Sequence, residues 1–426
     1  MNKSAEKDLV PELRFPDFKG RWRKTQLNKL GELVSGLTYS PSDVRDSGLL
    51  VLRSSNVQNG VITLEDNVYV TPNVKGSNLS KANDILICVR NGSKALIGKN
   101  ALIPEGMPVC THGAFMTVFR SPFAKFVFQL FQTNAYQKQV DADLGATINS
   151  INGRHFIKYE FYVPKQPEQQ KIADCLSSLD ELLIAHNQKL DALKAHKKGL
   201  MQQLFPAEGE TVPKLRFPEF RGDGDWCFDD LGSKAKKVGS GITPRGGDKN
   251  YKSAGVPFVR SQNIGWGSLL LDNIAYIEEE VHQSFSGTEI KESDVLLNIT
   301  GASIGRTAIA DQRVTGGNVN QHVCIIRTKL KELHPVYLSQ FILSPNGQLQ
   351  IDSFQAGGNR EGLNFAQIRS FSIPIPPNVE EQKKIADGLS SIDELITAQS
   401  QKIDALKTHK QGLMQQLFPV VNEVSV

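Results

Sequence analysis

The chain has 426 residues, 39% of them hydrophobic and 22% charged, with a formal net charge of +4. That length suggests two or three domains with room for a buried core, and so small a charge names no partner. No apolar run approaches the roughly 18–20 residues that span a bilayer. The opening MNKSAEKDLVPEL lacks an apolar signal-peptide centre. Five scattered cysteines (Cys88, Cys110, Cys175, Cys227, Cys324) form no C-x-x-C pair, which argues against a disulfide scaffold or zinc site and fits a reducing cytoplasm.

In chain order, residues 11–22 read PELRFPDFKGRW. Strand candidates follow at 48–53, 85–89 and 109–119, then a helix candidate at 123–140. Residues 168–206 carry apolar side chains at alternating spacings of four and three: Ile172, Leu176, Leu179, Leu183, Leu190, Leu193, Leu200 and Leu204. A 3.5-residue period over nearly five heptads predicts a long coiled-coil helix. Residues 213–226 then read PKLRFPEFRGDGDW, a second opening. Strand candidates recur at 256–259, 295–299 and 319–327, with a helix candidate at 335–350. Residues 381–419 repeat 168–206 at a constant offset of 213, with 29 identities in 39 positions and no gap. The chain is therefore a tandem duplication.

The predicted fold class is α+β: two mixed α/β modules joined by two long helices in an antiparallel coiled coil, with pseudo-twofold symmetry. The divisions are 1–167, 168–206 (first helix), 207–380, 381–419 (second helix) and a tail at 420–426. About 36 helical residues give a rod of about 54 Å. Antiparallel return would bring the end of the second helix beside the first LRFP segment. Asn378 with Glu381 has the spacing of a capping pair, and Pro167 suits a first helical turn. Two seam positions are polar in both copies, His186/Gln399 and Lys197/Lys410. Gly199 and Gly412 lie off the seam, marking either close approach of another chain or an exposed face that tolerates glycine.

Catalytic patterns are absent. The stretch GSKALIGK at 92–99 has five residues between its glycines and lacks the Ser/Thr of a phosphate loop, so a glycine-rich turn is the better reading. The eight histidines have no metal-ligand spacing, and there is no G-x-S-x-G elbow. No cofactor is expected on this chain.

The duplicated LRFP openings, the two EQ-x-KIAD-x-LSS-x-DEL helix starts and the two GLMQQLFP endings resemble the specificity subunit of type I DNA restriction-modification systems, across essentially the whole chain. The resemblance implies that the modules are target recognition domains, each reading one half of a split double-stranded DNA sequence. It implies that the helices form a spacer docking two methyltransferase subunits, which bind S-adenosylmethionine. Restriction subunits, which use ATP and magnesium, would join that core, and no membrane is involved. Catalysis would belong to those partners. A rod of 54 Å corresponds to about 16 base pairs. Leu182/Leu395 and Met201/Met414 widen the apolar stripe and suggest the docking face; the competing reading is packing within the chain.

Arg bonds guanine bidentately, and Asn or Gln bonds adenine. The base-reading candidates are those residue types beside strands: Arg53, Ser54, Asn56, Arg90, Asn91, Lys94, Asn149, Asn152 and Arg154, then Arg260, Gln262, Asn263, Asn298, Thr300, Asn318, Asn320, Gln321, Asn359 and Arg360. Residues 1–167 carry 21 basic and 14 acidic side chains, and residues 207–380 carry 18 and 20. The first module alone has the charge of a DNA binder. A protein-only scaffold and an enzyme with an unrecognised duplicated site are the alternatives from other classes.

Overall fold

The computed structural model describes residues 10–144, 149–244, 246–355 and 362–419. The chain divides into two compact units. One comprises residues 1–186 with 402–426, the other residues 187–401. Each long helix therefore contributes one half to each unit.

The first unit opens on β1 (Arg23–Gln26) and β2 (Glu32–Ser35). Then come β3 (Leu49–Leu52), β4 (Val68–Val70), β5 (Ile85–Cys88), β6 (Asn100–Leu102), β7 (Cys110–His112) and β8 (Met116–Arg120). Helices α1 (Ala124–Leu130) and α2 (Asn134–Asp143) precede β9 (Glu160–Val163) and the long α3 (Gln166–Leu204). An antiparallel sheet runs β2-β8-β5-β6, and a second sheet pairs β3 parallel with β7 and antiparallel with β4. The ribbon β1–β9 ties the start of the domain to the start of α3. Strands β3 and β5 are buried at every position, as continuous apolar runs require.

The second unit repeats this plan. Its strands are β10 (Cys227–Asp230), β11 (Ala235–Ser240), β12 (Val256–Val259), β13 (Ala275–Ile277), β14 (Val295–Asn298), β15 (Thr307–Ile309), β16 (Asn318–Val319) and β17 (Val323–Thr328). Helices α4 (Pro335–Leu343) and α5 (Pro345–Gln355), strand β18 (Ser372–Ile375) and helix α6 (Val379–Leu417) complete it. The antiparallel sheet is β11-β17-β14-β15, the mixed sheet β13-β12-β16, and the ribbon β10–β18. The α+β class and the duplicated architecture read from the sequence are both present.

Each predicted module helix is a pair. The 123–140 stretch breaks because the Thr133 hydroxyl turns inward to accept from the Tyr136 amide, capping a new helix. The 335–350 stretch breaks at Ser344, before Pro345. The strand expected at 109–119 is likewise two, β7 and β8. Glycines 98 and 305, at φ +85° and +84°, turn the chain between strands where a phosphate loop would have to open a helix.

Within each unit the halves of α3 and α6 run antiparallel. In the first, Ile172, Ala173 and Leu176 share a core with Leu417 and Phe418. In the second, Leu204 and Phe205 share one with Ile385, Ala386 and Leu389. Lys410 pairs with Asp180, whose carboxylate also accepts from the buried Gln129 of α1. The duplicate is Lys197 on Asp393 at 2.7 Å, with Gln340 of α4 donating at 2.8 Å. The polar seam lysines thus close a latch between helix pair and recognition domain.

The LRFP openings clamp both helix systems. Arg14 donates twice to Glu168 at 2.7 Å and Arg216 twice to Glu381 at 2.8 and 2.9 Å, both carboxylates being buried. The amide of Leu13 donates to the Gln416 carbonyl, and that of Leu215 to the Gln203 carbonyl. Each opening therefore joins the start of one long helix to the end of the other within its own unit. The expected capping pair at Asn378 is corrected: its side chain accepts from the Glu380 amide, while Glu381 is committed to Arg216. At Gly199 and Gly412 a Cβ would meet nothing of this chain within 4 Å, so no close approach within the chain requires them.

Candidate nucleic-acid interface

The candidates gather where β5 and β14 end. Beyond β5, the amides of Val89 and Arg90 both donate to the Phe115 carbonyl at 3.0 and 3.1 Å, and Arg90 bridges Ser150. Asn91 donates to Ser54 Oγ at 3.0 Å, and Asn149 donates to the Gly92 carbonyl at 3.1 Å. Ser54, Arg90, Asn91 and Asn149 thus line one edge. Lys94 sits exposed on the next turn, and Asn152 caps the short helix carrying the exposed Arg154. The Arg90 guanidinium lies 5.7 Å from the centre of the Phe115 ring, which is 59% exposed.

Beyond β14, Ile299 donates to the His322 carbonyl, and Thr300 bridges Gly362. The frame is the one at Arg90, with different side chains. Thr300 Oγ lies 2.6 Å from His322 Nδ1, and Gln321 Nε2 lies 3.1 Å from His322 Nε2. With the amide donating to Nε2, the ring donates from Nδ1 to Thr300. Thr243 donates to Gln321 Oε1.

Several candidates belong to the fold. Asn56 is fully buried, accepting from the Arg53 amide and donating to the Thr63 and Asp66 carbonyls. Asn263 is its duplicate, accepting from the Arg260 amide and donating to Leu270. These asparagines close tight turns and are corrected from base readers to turn formers. Asn298 and Asn318 are fully buried and Asn320 nearly so. Asn298 donates to the Ser261 carbonyl, Asn318 bonds His282 and Thr288, and Asn320 accepts from the His322 amide. All three spend side-chain hydrogen bonds on the fold. Arg53 is held by Asp66 at 2.8 Å, and Arg260 by the Asn273 carbonyl at 2.8 Å. Gln262 is exposed beside Asn263. Asn359 and Arg360 lie outside the described residues.

Of the docking candidates, Leu182 and Leu395 are 47% and 56% exposed. Met201 is corrected: it is buried in the second unit's core with Leu204 and Phe205. Met414 is half-buried and lines a cavity of about 490 Å³ with Leu130, Tyr162 and Phe418. Phe115, His322 and Thr243 were not candidates. The loops that carry the first two are three residues each, 113–115 and 320–322, but share no residue, so only the hydrogen-bond ladder aligns them.

A family model for the type I restriction modification DNA specificity domain matches residues 19–195 and again 230–408. The chain belongs to that family. The specificity subunit of the type I restriction enzyme EcoKI from Escherichia coli K12 is 23% identical over 382 residues, 85% of this chain and 80% of that protein. The putative MjaX specificity subunit of Methanocaldococcus jannaschii is 24% identical over 414 residues, 93% of this chain and 92% of that one. The crystal structure of an S subunit from M. genitalium shares the fold with a TM-score of 0.64 at 16% identity, covering 97% of this chain and all of that one. This specificity subunit therefore carries its specificity domain twice, and its role is DNA target recognition. Among its described residues no helix is long and apolar enough to cross a membrane.

Proposed function

We propose that each recognition domain of this specificity subunit reads one half of a bipartite duplex target, and that α3 and α6 set the gap and dock two methyltransferase subunits. Methylation and cleavage are the work of partners. The methyltransferases bind S-adenosylmethionine, and restriction subunits use ATP and magnesium. The observation that supports this reading best is the repeated frame with divergent side chains, Arg90–Phe115 in one domain and Thr300–His322 in the other. Two copies of one scaffold with different polar edges suit two different short sequences. The exposed Leu182 and Leu395, duplicates on the two long helices, suit two copies of one partner.

The test is reconstitution. The purified chain alone is expected to leave DNA unmodified, and addition of its cognate methyltransferase to give methylation at one bipartite sequence. Methylation by the chain alone, or sequence-independent methylation by the complex, contradicts the proposal.

A further inference from the structure

We propose that Arg90, held over the Phe115 ring, selects a guanine in the half-site read by the first domain. The inference rests on the bipartite reading above and deepens it. Most arginines at comparable strand ends are spent on the fold. Arg120 grips Asp84 and Arg327 grips Asp294, each through two hydrogen bonds. Arg53 and Arg260 hold turns. Arg90 differs. It is exposed, and no side-chain hydrogen bond or ion pair engages its guanidinium among the described residues.

What it has is a platform. A guanidinium over an aromatic face is attracted by the ring quadrupole and keeps its donor edge free. Phe115 is 59% exposed, and its ring offers that cation a solvent-facing platform. A planar fork fixed in orientation matches O6 and N7 of guanine, whereas a lysine offers only a point charge. The neighbours Ser54, Asn91 and Asn149 are each tied to one another or to backbone, whereas the guanidinium of Arg90 has no such bond among the described residues. The duplicate position carries Thr300, whose hydroxyl is engaged by His322, and so has no cation to offer.

The experiment maps methylated sites in cells carrying the complete complex with wild-type subunit, Arg90→Gln, Arg90→Lys or Phe115→Leu. Expected is a wild-type first half-site containing a guanine whose discrimination falls about ten- to a hundredfold in Arg90→Gln. Arg90→Lys, which keeps the charge without the fork, should relax the same position, Phe115→Leu should relax it less, and the second half-site should stay unchanged in all three. A motif unchanged in Arg90→Gln, with uniformly weaker modification and a shallower salt dependence, makes Arg90 a phosphate contact and overturns the proposal. So does a first half-site without guanine. If Arg90→Gln abolishes modification, Arg90→Lys decides: an intact motif there also overturns it. A wild-type map with no bipartite motif defeats the underlying reading instead.

Discussion

Arg14 and Arg216 each pair a guanidinium with a carboxylate on the first turn of a long helix, Glu168 and Glu381. Removing one member leaves a buried charge unpaired. Arg14→Ala is therefore expected to destabilise the first unit by roughly 3 kcal/mol, measured by urea unfolding, whereas Arg14→Ala with Glu168→Leu should recover part of the loss. Asn56→Ala and Asn263→Ala should each cost about 1–3 kcal/mol while leaving the methylated sequence unchanged; an altered sequence would restore them as readers. His112 adds a pH dependence. It is fully buried between Ser80 and the Val34 carbonyl, and burial lowers its pKa. The unfolded chain then binds the proton more readily, so stability is complete above the ordinary histidine value near 6.5 and falls as pH drops below it. His112→Gln should flatten that slope in acid unfolding curves. The sequence could not separate Asn56 from a base reader, because the turn and the base use the same amide.

At the scale of elements, the long helices were legible because an apolar stripe of period 3.5 is a local signal. Their polar seam was legible too, but its partners were not: Asp180 and Asp393 are met by glutamines of α1 and α4, some 50 residues earlier in the chain. The strands were less legible, since β3 pairs with β7 about 60 residues away, and β1 with β9 about 140 away. Two predictions belong here. Leu182→Glu or Leu395→Glu is expected to remove one methyltransferase from the assembly, since a charge desolvated without a partner is costly; native mass spectrometry showing unchanged 2:1 stoichiometry in both places docking elsewhere. A heptad inserted after Leu190 and another after Ile403 keeps the seam in phase and adds about 10 Å, or about three base pairs. The same half-sites with a wider gap are expected. Binding should be weaker, because the second half-site also rotates by roughly 100° about the duplex. The original gap in an active complex would show that these helices are not the ruler.

For the whole molecule, duplication explains most of what was readable: two openings, two modules and two helices could each be checked against a copy. The copies diverge in charge, with 21 basic and 14 acidic residues in 1–167 against 18 and 20 in 207–380. Phosphate contacts release counterions, so binding by the assembled complex should weaken steeply with salt. The most direct measurement is a genome-wide map of methylated bases in cells with and without this gene. Expected is one class of gene-dependent sites: two short constant sequences separated by a gap of fixed length and free sequence. A single continuous motif, or no methylation that depends on the gene, would contradict it.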